Sequence, residues 1–266
     1  MQDKLFSLEG RIALVTGGSR GIGKMIAAGF VAQGATVYIS ARKAQACMET
    51  AEELSKDGGR CIALPKDIST VDEAKALAAE VTAQAGGKLD ILVNNAGAAW
   101  GADFEEFPEA GWDKVMNLNV KSPFFLTQAL FPALKAAASE DRPAKVINIA
   151  SIDGIALNPL ETYSYHASKS ALIYLTRRMA ARLVKDHVLV NAIAPGAFAS
   201  EMNRAARDHG DTVSRAVPSG RVGRDDDMAA AAVYLAARSG DYVVGSTLVV
   251  DGGVALARLP DVSAAG

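Results

Sequence analysis

Tyr165 and Lys169 stand four residues apart at the start of a run in which Ala167, Ala171, Leu172 and Leu175 recur at helical spacing. On a helix the phenol and the ammonium share one face. A free phenol ionises near about 10, but an adjacent positive charge favours phenolate and draws its pKa toward the working range, which makes the pair a candidate proton donor. The spacing by itself is weak, because the chain has six tyrosines and a Tyr-x-x-x-Lys arises readily by chance. Two other polar groups add to it. Ser151 ends the apolar run Lys145–Ala150, and a hydroxyl at the carboxyl end of a strand faces the crevice where open α/β sheets bind ligands. Asn119 lies in an otherwise apolar helical region (Trp112, Val115, Met116, Leu118 and the run after Pro123), where its amide must find backbone groups or a bound water as partners. The plain reading of Asn119 is a satisfied core asparagine.

These residues need a frame, and the chain supplies one by alternating short apolar runs with helical periodicity. Arg11–Thr16 reads as a strand buried on both faces. Thr16-Gly-Gly-Ser-Arg-Gly-Ile-Gly23 follows, and Ile22, Met25, Ile26 and Phe30 then recur at helical spacing. The glycines therefore sit where a strand becomes a helix. Backbone N–H groups there, around Gly17, Ser19, Arg20, Gly21, Ile22 and Gly23, can cradle a pyrophosphate, although a tight strand-to-helix turn would also call for glycine. A second strand, Thr36–Ser40, ends at Ala41 and Arg42 with no carboxylate. With Arg20 in the loop, two cations suit a 2′-phosphate, so NADPH is favoured over NADH; the bland alternative is two solvated arginines.

Helices are expected over 44–57 and 71–85, flanking a third strand at Arg60–Leu64. Asp67 and Ile68 follow at the rim, where Asp67 could accept from an adenine amino group or join a capping network with Ser69. Leu89–Val93 reads as a fourth strand ending in Asn94-Asn95-Ala96-Gly97, whose amides could tie strand ends together and leave room for a ribose beside Ala96 and Gly97; a structural turn explains the asparagines as well. The helix bearing Tyr165 should run to about Lys185, followed by a sixth strand at Val188–Ile193. Pro195-Gly196 then opens a stretch to about Arg221 with no clear periodicity, an expected substrate lid containing Ser200. Ala197, Phe198, Met202, Val213 and Val217, with Trp100, would line an apolar pocket, or serve as ordinary packing. A helix over Asp227–Ala237 and a strand over Ser246–Val250 complete the pattern.

With 266 residues, half of them apolar, the chain can bury a full core as a single domain over 1–266. A formal charge of −2 with no Lys/Arg run speaks against nucleic acid as a partner. The apolar segment from Ser122 to Leu134 is too short to span a bilayer, and the first residues lack a signal-peptide pattern, so a soluble cytoplasmic protein is expected. Cys47, Cys61 and three histidines show no metal-ligand spacing, and no metal site is expected.

In this order, Thr16-Gly-x-x-x-Gly-x-Gly23, Asn94-Asn-Ala-Gly97, Asn119, Ser151, Tyr165-x-x-x-Lys169 and Pro195-Gly196 resemble the short-chain dehydrogenase/reductase family over residues 10 to 253. The resemblance implies an α/β fold of Rossmann type, a doubly wound sheet of seven parallel strands with helices on both faces. It further implies NADP(H) and a tetrad of Asn119, Ser151, Tyr165 and Lys169. Ser151 and Tyr165 would donate to a substrate carbonyl oxygen, and Lys169 would lower the Tyr165 pKa and hold the nicotinamide ribose. Asn119 would anchor a water, and Pro195, Gly196 and Ser200 would fix the nicotinamide. Gly220–Arg224 through Asp251-Gly-Gly253 is similar to bacterial 3-oxoacyl reductases, which makes a 3-oxoacyl thioester the first choice of carbonyl substrate. A polyol, sugar or steroid-like alcohol or ketone is the runner-up, and a non-catalytic dinucleotide sensor is the remote alternative. A homo-oligomer, tetramer or dimer, is also implied. Ser151 and Tyr165 are fourteen positions apart, one more than is usual in the family. A serine hydrolase built on Ser151 and His166 would lack the Gly-x-Ser-x-Gly elbow.

Overall fold

The computed structural model describes residues 5–56 and 58–257. Seven strands, β1 (Ile12–Thr16), β2 (Thr36–Ser40), β3 (Arg60–Ala63), β4 (Ile91–Asn94), β5 (Ala144–Ile149), β6 (Val188–Pro195) and β7 (Thr247–Val250), form one parallel sheet in the order β3-β2-β1-β4-β5-β6-β7. The chain winds outward from β1 to β3, returns past β1 to β4, and continues the other way. That reversal opens a crevice beyond the carboxyl ends of β1 and β4.

Side chains alternate across the sheet, so Ala13 and Val15 face one layer of helices and Leu14 the other. The helices are α1 (Gly21–Ala32), α2 (Ala44–Ser55), α3 (Val71–Gln84), α4 (Glu109–Met116), α5 (Ser122–Ala137), α6 (Tyr163–Leu183), α7 (Arg204–Asp208), α8 (Gly210–Arg215) and α9 (Asp225–Ala236). On one face Ile26, Phe30, Cys47, Ala51, Met228 and Ala232 bring α1, α2 and α9 onto the sheet. On the other, Leu77, Val81, Leu126, Leu130, Leu134 and Met179 do the same for α3, α5 and α6. Both layers are thus driven by burial of apolar stripes.

The expected elements are present, with shifts at their ends. The fourth strand starts at Ile91 because Asp90 is taken up earlier, accepting from Ile12 N (2.9 Å) and pairing with Arg11 and Arg142. The long helical region around Asn119 is divided: α4 and α5 are joined through a π-helical turn at Asn117–Lys121. The stretch expected to be irregular after Pro195 contains the two short helices α7 and α8, whose brevity hides their period.

Candidate active site

The glycine loop is narrow because it is stitched to the neighbouring strand end. Thr16 Oγ1 accepts from the backbone N–H of Asn95 and of Ala96 (both 3.0 Å), while Asn95 Nδ2 donates to Thr16 O (2.8 Å) and Gly17 O (3.2 Å). The turn itself runs through Gly17 at φ +66°, a left-handed conformation that favours glycine. Gly23 answers a different need: a Cβ there would sit 2.2 Å from Gly17 O. Thr50 Oγ1 donates to Ser19 O (2.9 Å) and fastens the loop to α2.

Helix α1 opens at Arg20 with no side-chain cap and no acid in its first turn. Helix α3, by contrast, is capped by the Thr70 side chain and carries Asp72 and Glu73 in its first turn. The uncapped, acid-free start leaves the α1 amides and the positive end of the dipole open to an anion. Arg20 and Arg42 are exposed and form no ion pair among the described residues. The residues present therefore fit a phosphorylated dinucleotide.

Three residues expected at the cofactor have side chains engaged elsewhere. Asp67 Oδ1 accepts from Ser69 N (2.9 Å), the local capping alternative, and Ile68 is buried in the second core layer. The Asn94 side chain does not face the crevice: its Nδ2 donates to Asn148 Oδ1 (2.9 Å) and Thr127 Oγ1 (3.1 Å), and Asn148 passes the chain on to Thr176 (2.9 Å). A buried amide must be satisfied, and a row of polar groups under β4 and β5 does so. Ala96 and Gly97 do border the site. A Cβ on Gly97 would come within 3.2 Å of Asn119 Oδ1 and 3.8 Å of Lys169 Nζ.

Helix α6 brings Tyr165 and Lys169 together as the spacing requires. Lys169 Nζ lies 5.4 Å from the Tyr165 ring centroid and donates to Ile149 O at the end of β5 (2.8 Å). Ser151, two residues beyond that carbonyl, is buried and extended, with Oγ accepting from Asp153 N (3.1 Å). Tyr163 is not a competitor, since its hydroxyl donates to Glu161 (3.1 Å) and its ring packs against Phe104 and Phe107. His166 turns its Nδ1 back on Thr162 rather than toward Ser151, which leaves no Ser–His pair.

Asn119 holds the site's two walls together. Its Oδ1 accepts from Ala98 N (2.8 Å), and its Nδ2 donates to Ala98 O (2.9 Å) and Ser168 Oγ (2.9 Å). Both amide hydrogens are spent, so a water held by this side chain would have to donate to the second lone pair of Oδ1. The π-helical turn is what aims it at the loop after β4.

The electrostatics of the two groups are set mainly by burial. Burial pushes the Tyr165 phenol up to about 12, with Ser151 pulling it down and Asp153 adding to the rise. Burial also brings Lys169 down to about 8, partly opposed by Asp153. Lys169 was expected to lower the Tyr165 pKa; in the cofactor-free chain burial sets the direction instead, and the opposing pull comes from the Ser151 hydroxyl.

The lid residues divide as well. Ser200 lies against the glycine loop, where a Cβ on Gly21 would be 3.1 Å from Ser200 Cβ, and its Oγ accepts from Asn203 N (3.0 Å). Gly196 is packed so closely on Asp251 that a Cβ would lie 2.6 Å from the Asp251 Cβ; Asp251 in turn accepts from Gly253 N and Ala255 N (2.7 Å each). Phe198 and Val217 are buried, Phe198 in the first core layer, and Met202 is exposed. Trp100 packs onto Gly111 beneath Lys114. Of the expected apolar lining, Phe198, Val217 and Trp100 are packing residues, because each finds an apolar or glycine surface of its own.

The asparagine amides do tie strand ends together, Asn95 to Thr16 and Asn94 to Asn148; sequence reasoning passed over the Thr16 side chain, the packing of Asp251 on Gly196, and Asn148 and Thr127 altogether. An asparagine inside the apolar run Lys145–Ala150 was the available signal for Asn148.

The comparisons with known proteins agree with this geometry. The family model described as short chain dehydrogenase matches residues 11–211. The chain is 49% identical over 251 residues to the rhamnolipids biosynthesis 3-oxoacyl-[acyl-carrier-protein] reductase of Pseudomonas aeruginosa, covering 93% of this chain and 97% of that one. It is 39% identical over 251 residues to the 2-dehydro-3-deoxy-D-gluconate 5-dehydrogenase of Escherichia coli, covering 93% and 96%. Among solved structures, the Pseudomonas aeruginosa RhlG/NADP active-site complex superposes with a TM-score of 0.91 at 48% identity, covering 95% of this chain and 99% of that one.

Proposed function

The chain belongs to the short-chain dehydrogenase family, and we propose that it is an NADPH-dependent reductase that converts a 3-oxoacyl thioester to the 3-hydroxyacyl thioester. The observation that carries the reading is the meeting of Ser151 at the end of β5 with Tyr165 and Lys169 on α6, beside a glycine loop flanked by two exposed arginines. A hydroxyl and a phenol placed together can both donate to a carbonyl oxygen, and the phenol can pass its proton to the developing alkoxide, which is far more basic.

NADPH supplies the hydride. In this reading the amides of Gly21 to Gly23, with Ser19, take the pyrophosphate, Arg20 and Arg42 take the 2′-phosphate, and Ala96, Gly97 and Lys169 flank the ribose. Pro195, Gly196 and Ser200 border the nicotinamide, while Asn94, Asp67 and Ile68 act through the backbone they fix. Ser151 and Tyr165 donate to the carbonyl oxygen, and Tyr165 transfers its proton as charge develops there. Lys169, tied to Ile149 O, keeps a positive charge near that oxygen and so stabilises the oxyanion. Asn119 positions α6 against the loop after β4. Residues 195–221 form the lid.

The alternative is reduction of a sugar or polyol ketone, favoured by the likeness to the gluconate dehydrogenases. A dinucleotide sensor is disfavoured by the presence of all four tetrad side chains. NADPH consumption against a 3-oxoacyl thioester, a short diketone, a sugar ketone and a cyclic ketone tests the reading. The thioester should give the highest kcat/KM, and no activity with it would end the proposal.

A homo-oligomer, dimer or tetramer, accords with the exposed Phe124 and Tyr174 on the outer faces of α5 and α6. Light scattering reads that state directly. Among the described residues no helix is long and apolar enough to cross a membrane; a cytoplasmic site, where NADPH is at hand, completes the reading.

A further inference from the structure

The loop between β5 and α6 carries a carboxylate that none of the roles above employs. Asp153 is two residues beyond Ser151, and its backbone N–H donates to Ser151 Oγ (3.1 Å), so it is built into the turn that holds the reacting hydroxyl. The turn is pressed onto α6: a Cβ on Gly154 would lie 2.6 Å from the Lys169 carbonyl carbon, and Ser170 Oγ donates to Gly154 O (3.0 Å). Asn158 Nδ2 donates to Asp153 Oδ1 (2.8 Å), while Asn158 Oδ1 accepts from Leu160 N (2.7 Å). The carboxylate is therefore held in one orientation by the very segment whose length departs from the family pattern.

Asp153 is half-buried and has no ion-pair partner among the described residues. Its charge is felt at the reacting groups, raising the pKa of both Tyr165 and Lys169. The same sign continues outward. Ala102 N donates to Glu161 O (3.3 Å), which joins the loop after β4 to the one before α6. At that junction Glu161, Glu105 and Asp103 all act on the Tyr163 phenol. Lys114, which could offset them, is turned onto the Trp100 ring. A fixed negative charge beside the catalytic hydroxyls, behind a negative rim, is a condition on what may enter.

Building on the ketone-reductase reading, we propose that Asp153 is a specificity residue that selects by charge. It rejects substrates bearing a carboxylate close to the reacting carbonyl and admits uncharged esters, thioesters and hydroxylated ketones. Two like charges in a partly enclosed site repel more than they would in water, and the hydrogen bond from Asn158 to Oδ1 restrains the carboxylate. The aldonate-type keto acids would be poor substrates for this chain on that ground, whatever the fit of their hydroxyls.

The test uses two ketones of one skeleton, ethyl acetoacetate and acetoacetate, with the NADPH-loaded wild-type enzyme and Asp153→Asn. Asparagine keeps the oxygen that accepts from Asn158, and thermal unfolding checks that the turn survives. Wild type should prefer the ester, and Asp153→Asn should shrink the ester-to-anion ratio of kcat/KM by about tenfold, mostly by improving the anion. In wild type alone the ratio should fall as ionic strength rises, which gives a readout that needs no variant. Reduction of the ester with a ratio indifferent to both the substitution and salt overturns the inference and leaves the reductase reading standing. Failure of wild type to reduce any ketone of the broader panel removes the reading and the inference together.

Discussion

The two sides of the crevice are built on opposite principles. At the ends of β1 and β4 the working groups are backbone amides, the spaces are set by glycines, and the side chains of Thr16 and Asn95 serve as neutral ties. At the end of β5 and on α6 the working groups are side chains, and what prepares them is burial of an ammonium and a phenol with few compensating charges. The first side should tolerate chemical change but no added volume. The second should tolerate volume-conserving change but no loss of a proton or charge.

Removing one oxygen is the sharpest way to break this contrast. Tyr165→Phe keeps the ring under Lys169 and removes the proton, so kcat should fall by roughly 10³-fold or more while NADPH still binds, as single-turnover and fluorescence-binding measurements would show. Retained turnover would mean that the carboxyl-side wall does not work through its side-chain chemistry. The converse change adds one carbon to the other wall. Gly23→Ala would place Cβ 2.2 Å from Gly17 O, a backbone atom that cannot swing away, and 2.5 Å from Asn95 Nδ2. It should cost about 2–3 kcal/mol of stability by overpacking and weaken NADPH binding, with kcat at saturation much less affected. A Gly23→Ala enzyme with normal cofactor affinity would show that the loop is looser than its contacts imply.

The buried ammonium also leaves a mark on stability. With Lys169 at about 8 in the fold against 10.5 when free, the unfolded chain binds more protons between those values, so stability rises with pH across that window. Tyr165, raised from 10 to about 12, acts the other way, and only above pH 10. Between pH 8 and 10 the cofactor-free protein should therefore gain on the order of 2 kcal/mol from Lys169 alone. Denaturant unfolding of wild type and Lys169→Met isolates that contribution as the difference between their slopes. Parallel curves would mean that the ammonium is better solvated than its burial suggests.

The same asymmetry governs how much could be read from the sequence. Strands, helices and the glycine loop follow from apolar runs, helical period and the dihedral demands of glycine, all of which are local, and they are found where expected. Tyr165 and Lys169 meet because a four-residue spacing on a helix fixes their geometry. What could not be read locally is desolvation: the direction of the Tyr165 shift depends on how deeply other elements cover it. For the same reason Phe198, which looks like a lid residue, is core, since Gly223 opens a slot in which a Cβ would lie 2.3 Å from its ring. Asn94, next to motif glycines, turns inward because Thr127 and Asn148, distant in sequence, are there to receive it.

Arg42 sharpens the comparison from the cofactor side, because with Arg20 it is where the amide-built wall is expected to rely on side-chain charge. β2 ends at Ser40 with no carboxylate to receive ribose hydroxyls, and Arg42 is exposed just beyond it. An exposed guanidinium that gains a phosphate partner contributes a charge-assisted hydrogen bond, while its removal leaves no buried group unsatisfied and should not disturb the fold. Arg42→Ala should therefore raise the KM for NADPH about tenfold and leave that for NADH nearly unchanged, with an unaltered unfolding midpoint. The effect is smaller than the others because Arg20 remains to share the phosphate, and the double substitution should go beyond the single one. Equal losses for the two cofactors would place Arg42 in general dinucleotide binding and would leave Arg20 alone to exert the charged selectivity expected of this wall.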